Sequence, residues 1–196
     1  MACPVLKVLM PTRLPLHGTI AVSIALVAGC ATTPSEVAVP IDTAQVVGRT
    51  ADAPRRAQVQ VTDIRKEATL ERTTIGGVSL GKIDLKPPVP DLVRAVVQAK
   101  ADEVVARQGI TDPQTVLCGI RVFDITTPAT AVYWDINTKI EIILRVRGQD
   151  RTVTASATDR TFVWPSEELI GRVTTEALKH LAAESERALT GLFAAR

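Results

Sequence analysis

The feature that most constrains the fold is a regular alternation of apolar and polar residues from Val132 to Val146. Seven of the eight even-numbered positions in this segment are apolar, whereas most odd-numbered positions are polar or charged. A period of two predicts a β-strand with one face on a core and the other face in water. Because fifteen residues exceed the usual length of a strand, we expect a bulge or bend near Asn137 or Thr138.

Further elements are predicted on both sides of this strand. Gly148-Gln149-Asp150 predicts a turn into a second strand over Arg151–Val163, so that the two strands form a long hairpin. The other predicted elements are strands over Val59–Arg65 and Val116–Ile125, a helix over Asp91–Gln108, and an amphipathic helix from a cap at Ser166 to the C-terminus. This order predicts an α+β fold, a two-layer sandwich with a mainly antiparallel sheet and two amphipathic helices on one face.

The first 29 residues have the composition of an export signal. They contain Lys7 and Arg13 but no acidic residue, and they end in an apolar run, Gly18–Ala28. A basic segment followed by a short apolar run is typical of a secretory signal peptide. The run is about eleven residues long, well short of the roughly 20 that a membrane-spanning helix needs. Residues 1–29 are therefore predicted to be a signal peptide, with translation starting at Met1 or Met10.

The apolar run leads directly into Val27-Ala28-Gly29-Cys30, which resembles the lipobox of bacterial lipoproteins. The resemblance implies that Cys30 is acylated and that the chain is cut before it. Two or three acyl chains would anchor a protein stably to a membrane. Ala31 follows the cysteine, which favours the outer membrane, facing the periplasm, in a Gram-negative bacterium. The alternative is an ordinary secretory signal that a cysteine happens to follow.

The mature chain is predicted to have two parts. Residues 30–56 combine the lipidated cysteine with an extended tether that Pro34, Pro40 and Pro54 interrupt, and residues 57–196 form a single periplasmic domain. The precursor has 23 basic and 21 acidic residues, and the signal peptide removes two of the basic ones. The mature side chains therefore sum to zero charge, which argues against nucleic acid as a partner.

No catalytic or metal-binding motif stands out. Of two histidines, His17 lies in the predicted signal peptide and only His180 remains, whereas metal sites usually need three or four ligands. Cys118 lies in a strand-like segment and is predicted to be a small buried residue. Asp63 and Asp135 could pair as the carboxylates of a hydrolase. The sequence predicts a protein that is not an enzyme and has neither a metal nor a cofactor, with an envelope hydrolase as the distant alternative.

The polar face of the long strand offers candidate contacts for a partner. These are Tyr133, Lys139, Arg145 and Arg147. The two arginines could meet an anionic envelope glycan or an acidic protein. The alternative is a solvated sheet face with no partner, because Asp135 and Glu141 mix negative charge into the same stripe.

Several segments resemble the YajG-type lipoproteins, a family of small Gram-negative envelope proteins. The likeness runs from Val59 to Leu189. It includes a Val59-x-Val-x-Asp-x-Arg65 opening, an Asp91-Leu92 helix ending at Arg107-Gln-Gly109, Tyr133-Trp-Asp-Ile-Asn-Thr-Lys139, and the last helix. The resemblance implies a periplasmic lipoprotein at the outer membrane and no reaction. We expect a module that binds an envelope protein or glycan; the alternative is an accessory lipoprotein of an envelope transport or lipopolysaccharide-assembly machine.

Overall fold

The computed structural model of the chain describes residues 37–47, 55–66, 70–73 and 79–194. The predicted signal peptide (1–29) and the predicted lipidation at Cys30 lie outside the described residues. The strands are β1 (Val37–Pro40), β2 (Ala57–Asp63), β3 (Glu71–Thr73), β4 (Ser79–Lys86), β5 (Gln114–Thr126), β6 (Trp134–Val146) and β7 (Gln149–Thr161). The helices are α1 (Thr43–Val47), α2 (Val89–Arg107) and α3 (Glu167–Ala194). None of the helices in this part of the chain is long and apolar enough to cross a membrane.

The strands form two mixed sheets, and with the helices they make an α+β fold. The larger sheet has the order β2-β5-β6-β7, in which β2 is parallel to β5 and the other neighbours are antiparallel. The smaller sheet has the order β1-β4-β3, in which β1 is parallel to β4. The α+β class agrees with the prediction, but the expected single sheet is wrong. Parallel pairs need a long crossover connection, and the segment from β3 to α2 provides it between β2 and β5.

The core lies between the larger sheet and the two long helices. Helix α2 packs against β2 and β5, helix α3 packs against β6 and β7, and the two helices contact each other. The inward side chains of β6 are fully buried, as the alternation requires: Ile136, Ile140, Ile142 and Leu144 are all 0% exposed. The opposite face of this sheet carries the polar side chains.

Strand β6 is regular, and the predicted bulge near Asn137 or Thr138 is wrong. Every residue of β6 from Trp134 to Val146 has a partner on β7 without a shift in register. The irregularity lies instead in β5, between Ile120 and Val122. The extra residue there shifts the alternation, so that the buried positions are even-numbered up to Ile120 and odd-numbered from Phe123. Both of these side chains therefore point into the core.

The folded body begins by residue 37, twenty residues before the predicted boundary at residue 57. Within the segment expected to be a tether, Val39, Ile41 and Val46 are buried, and β1 contacts α3. Proline is compatible with β1 because this strand lies at the edge of the smaller sheet. Gly171 of α3 makes the contact possible, because a Cβ atom there would lie 3.3 Å from Val39 Cγ1.

Candidate functional site

Of the four predicted partner contacts, Tyr133, Lys139 and Arg145 lie along the outer face of the larger sheet, whereas Arg147 lies in the turn after β6, and the four do not form one site. Tyr133 precedes β6 at one end of the sheet, and Arg145 and Arg147 lie at the opposite end of the same strand. Twelve residues separate Tyr133 from Arg145, which corresponds to about 40 Å along a strand. Lys139 lies between them and is exposed.

Both predicted arginines are held by contacts within the chain. The Arg145 guanidinium donates two hydrogen bonds to the Asp150 carboxylate, at 2.5 and 2.7 Å. This hydrogen bonding raises the pKa of Arg145 and lowers the pKa of Asp150. Arg147 Nη2 donates to Gln114 Oε1 at 2.9 Å. The two cations therefore already have partners, which reduces their availability to an anionic ligand.

A shallow groove crosses the outer face where β2, β5 and β6 lie side by side. Its volume is about 420 Å³. Ile64, Leu117 and Ile143 give it an aliphatic floor, and Ile64 and Leu117 are 52% and 41% exposed. Gly119 belongs to the same floor, since a Cβ atom there would lie 3.2 Å from Ile64 Cδ1.

Two cross-strand rows build this groove. One row joins Gln60 of β2, Leu117 of β5 and Arg145 of β6, and the adjacent row joins Thr62, Gly119 and Ile143. Sequence reasoning missed the groove, although Leu117 and Ile143 were a signal. Both are large aliphatic residues at positions that the alternation assigns to water.

Cys118 and His180 have structural contacts. The Cys118 side chain is only 2% exposed, and burial raises the pKa of its thiol to about 12. A thiol in that state is not a nucleophile at neutral pH. His180, on the outside of α3, has Nδ1 2.8 Å from the backbone carbonyl oxygen of Ser156. It therefore ties α3 to β7.

The structure does not bring Asp63 and Asp135 together. Asp63 is held by Arg65, whose hydrogen bonds lower the pKa of the carboxyl group. Asp135 is held in the same way by Arg160, with Nε 2.7 Å from Oδ1. Asp63 is aligned through β5 with Ile142, seven residues from Asp135, which places the Cα atoms of the two aspartates roughly 25 Å apart. Paired carboxylates of glycosidases lie within about 10 Å of each other.

A cluster of aromatic residues lies at the end of the sheet where β6 begins and β7 ends. We call it the aromatic tip, and it consists of Val132, Tyr133, Trp134, Phe162, Val163 and Trp164. The rings of Tyr133 and Phe162 meet edge-on at 6.3 Å between centroids, and those of Trp134 and Trp164 at 6.0 Å.

Two arginines cover aromatic rings of this tip. The Arg160 guanidinium lies 3.9 Å from the centre of the Tyr133 ring, and that of Arg72 lies 5.9 Å from the Trp164 ring. Of the tip residues, sequence reasoning singled out Tyr133 alone as a partner contact. The signal that it missed was the run Phe162-Val163-Trp164, three large apolar residues in succession before Pro165.

Among the described residues, no group of three or more His, Cys, Asp or Glu side chains could hold a metal ion. The described residues form two exposed apolar surfaces, the aliphatic floor of the groove and the aromatic tip.

Comparison with known proteins gives only distant likenesses. No protein-family model matches the sequence, and no curated protein matches it. The crystal structure of an uncharacterized protein is similar, at 10% identity and a TM-score of 0.43 over 80% of this chain and 99% of the other. A structure described as a "putative lipoprotein" from Caulobacter crescentus CB15 is similar at 12% identity and a TM-score of 0.30, over 53% of this chain and 85% of the other. Neither likeness assigns a function, and the resemblance to the YajG-type lipoproteins stays a prediction.

Proposed function

We propose that this chain is a lipid-anchored envelope protein, held in the outer membrane by Cys30, that binds a protein partner in the groove of its larger sheet. The anchoring part rests on Val27-Ala28-Gly29-Cys30 and on the basic and apolar segments before it. Ala31 favours the outer membrane, with the folded body in the periplasm.

The observation that carries the binding role is the aliphatic floor of the groove. Ile64, Leu117 and Ile143 interrupt a sheet face whose other outward positions are mostly polar. Aliphatic side chains surrounded by polar ones, here Gln60 and Thr62, have the composition of a protein interface with its rim. This composition favours an apolar segment of a protein over a glycan as the partner.

The surroundings of the candidate catalytic groups support a role without catalysis. Cys118 is a buried thiol, His180 bonds a backbone carbonyl, and Asp63 and Asp135 are each paired with a neighbouring arginine. Each of these groups has a structural partner or surroundings that account for its presence. A mechanism of hydrolysis would need at least two of them at one place.

A photo-reactive amino acid at position 117 or 143, incorporated in living cells, tests the binding role. We expect both positions to form an adduct with the same protein, and position 154 on the outer face of β7 to form none. Equal labelling at position 154, or no adduct at all, would contradict the groove as the binding site. An adduct with a component of a transport or lipopolysaccharide-assembly machine would favour the alternative function, an accessory lipoprotein of that machine.

Lipid anchoring has a separate test. We expect Cys30→Ser to prevent acylation and to remove the mature protein from the membrane fraction. Leu117→Asp is the matched control, since it should lose the crosslinked partner but remain with the membranes. A native protein whose Cys30 carries no acyl chain by mass spectrometry would overturn the anchoring.

A further inference from the structure

The aromatic tip concentrates the aromatic residues of the chain at one exposed end of the larger sheet. The chain has six aromatic residues, and four of them, Tyr133, Trp134, Phe162 and Trp164, lie here. The apolar side chains at its surface project into solvent. Their exposed fractions are 66% for Val132, 69% for Phe162, 69% for Val163 and 49% for Trp164. Contiguous apolar surface of this kind marks a site of contact with a partner or a membrane.

The composition of the tip is that of a membrane interface. Tryptophan and tyrosine are enriched where a bilayer meets water, because their rings are apolar and their edges form hydrogen bonds. Arginine side chains extend beside such rings and keep the charge in the polar layer. Arg160 over Tyr133 has this arrangement, whereas Arg72 beside Trp164 is only 6% exposed and is buried. Phe162 and Val163 supply side chains without polar atoms, which would enter the acyl region.

The folded body begins at the same end of the molecule as the tip. Val37, the first residue of β1, pairs with Ile83 of β4, and two residues before Ile83, Gly81 pairs with Arg72 of β3. Neighbouring strands lie about 4.8 Å apart and the two-residue offset adds about 7 Å along β4, so Val37 and Arg72 are separated by about 12 Å in the smaller sheet. Arg72 in turn contacts the Trp164 ring.

The connection from Cys30 to the body is short. Six residues lie between Cys30 and Val37, and a fully extended chain of that length reaches no further than about 25 Å. An acylated Cys30 would therefore keep the start of β1, and the tip close to it, near the lipid surface.

We propose that the aromatic tip inserts into the bilayer that holds the acyl chains of Cys30 and is a second membrane contact of this protein. The inference rests on the proposed lipid anchoring. Arg160 is paired with Asp135, so its charge is already balanced. Insertion should therefore proceed in uncharged lipids, because the apolar side chains drive it.

The tryptophans allow a direct test, since Trp134 and Trp164 are the only two in the chain and both belong to the tip. The acylated full-length mature protein is placed in phosphatidylcholine vesicles with or without bromine on the acyl chains. We expect bromine to reduce the tryptophan emission at least twofold. Phe162→Ser with Val163→Ser should remove most of this quenching, whereas Leu117→Ser in the groove should leave it unchanged.

The outcomes separate this inference from the proposed function. Acylated, vesicle-bound protein without quenching overturns the tip contact and leaves the lipid anchor intact. If Cys30 carries no lipid, the anchor is wrong and the tip contact, which rests on it, is overturned as well. A photo-reactive residue at position 162 that captures a protein rather than lipid in cells would also overturn insertion.

Discussion

The Asp102 carboxylate protects the free edge of strand β2. It is 4% exposed, and its Oδ1 accepts hydrogen bonds from the backbone N–H groups of Arg56 at 2.6 Å and Ala57 at 2.9 Å. Gln98, one turn earlier on α2, donates to Asp102 Oδ2 and to the Ala57 carbonyl oxygen. Side chains of α2 thus form hydrogen bonds with backbone groups of β2 that an unprotected edge strand would leave free to pair with another chain.

We expect Asp102→Ala to lower the free energy of unfolding by about 2–3 kcal/mol, because buried backbone N–H groups would lose their acceptor. Urea denaturation followed by circular dichroism measures this change. Arg94→Ala, on the exposed side of the same helix, is the control and should cost no more than about 0.5 kcal/mol, since it removes only a surface ion pair. Equal effects of the two substitutions would show that Asp102 does not protect the edge.

The turn between β6 and β7 has an unusual backbone geometry. Arg147 and Gly148 have φ values of 51° and 81°, which match the two-residue turns that suit the twist of a hairpin. A Cβ atom at Gly148 would meet nothing within 4 Å, so the cost of a side chain there is purely conformational.

We expect Gly148→Ala to lower the free energy of unfolding by about 1–2 kcal/mol, because alanine is strained at positive φ. Gly191→Ala is a matched control in α3, where a Cβ atom also meets nothing within 4 Å. Alanine should raise the stability there by roughly 0.5–1 kcal/mol, since glycine weakens a helix interior. The urea midpoints of the two variants should shift in opposite directions. Shifts in the same direction would contradict the role of positive φ at Gly148.

Local patterns located some elements well. The alternation found β6 within two residues of its start, and Ser166 caps α3 as predicted, with its Oγ accepting from the Leu169 N–H at 3.2 Å. The bulge in β5 was not predicted, although the apolar positions of this strand change from even at Ile120 to odd at Phe123.

The missed elements depend on partners distant in sequence. Strand β1 contains Pro40, which is unfavourable in a central strand, and only its edge position beside β4 makes it acceptable. The aromatic tip joins residues from two connections about thirty positions apart, together with Arg72 from the smaller sheet. No local pattern could show these contacts. The ion pair of Arg145 with Asp150 could not be predicted either, because it depends on the geometry of the turn between the two residues.

Charge pairs over the whole surface make the molecule sensitive to acid. Among the described residues, six carboxyl groups have a pKa below the ordinary value, chiefly because each accepts a side-chain hydrogen bond from a basic residue. They are Asp63, Asp135, Asp150, Asp159, Glu176 and Glu186. A depressed pKa in the folded state adds stability above the unfolded-state value near 4, and this stability is lost as the pH falls through the lower folded-state values.

We expect the urea midpoint of the protein to be higher at pH 7 than at pH 3, with the decline concentrated below about pH 4.5. Added 1 M NaCl should reduce the difference, because most of these pairs are exposed and salt screens them. Arg65→Gln should raise the pKa of Asp63 toward its ordinary value, which carboxyl-carbon NMR can follow. A midpoint that does not change between pH 7 and pH 3 would contradict the role of these pairs.

The two parallel pairings impose an order on assembly. Strands β1 and β2 come early in the chain, but their partners β4 and β5 begin only at Ser79 and Gln114. The neighbours β5, β6 and β7 follow one another directly and can pair as soon as they are made, since local contacts close the shortest loops. The amino-terminal strands must therefore stay unpaired until the residues of β4 and β5 have been synthesised.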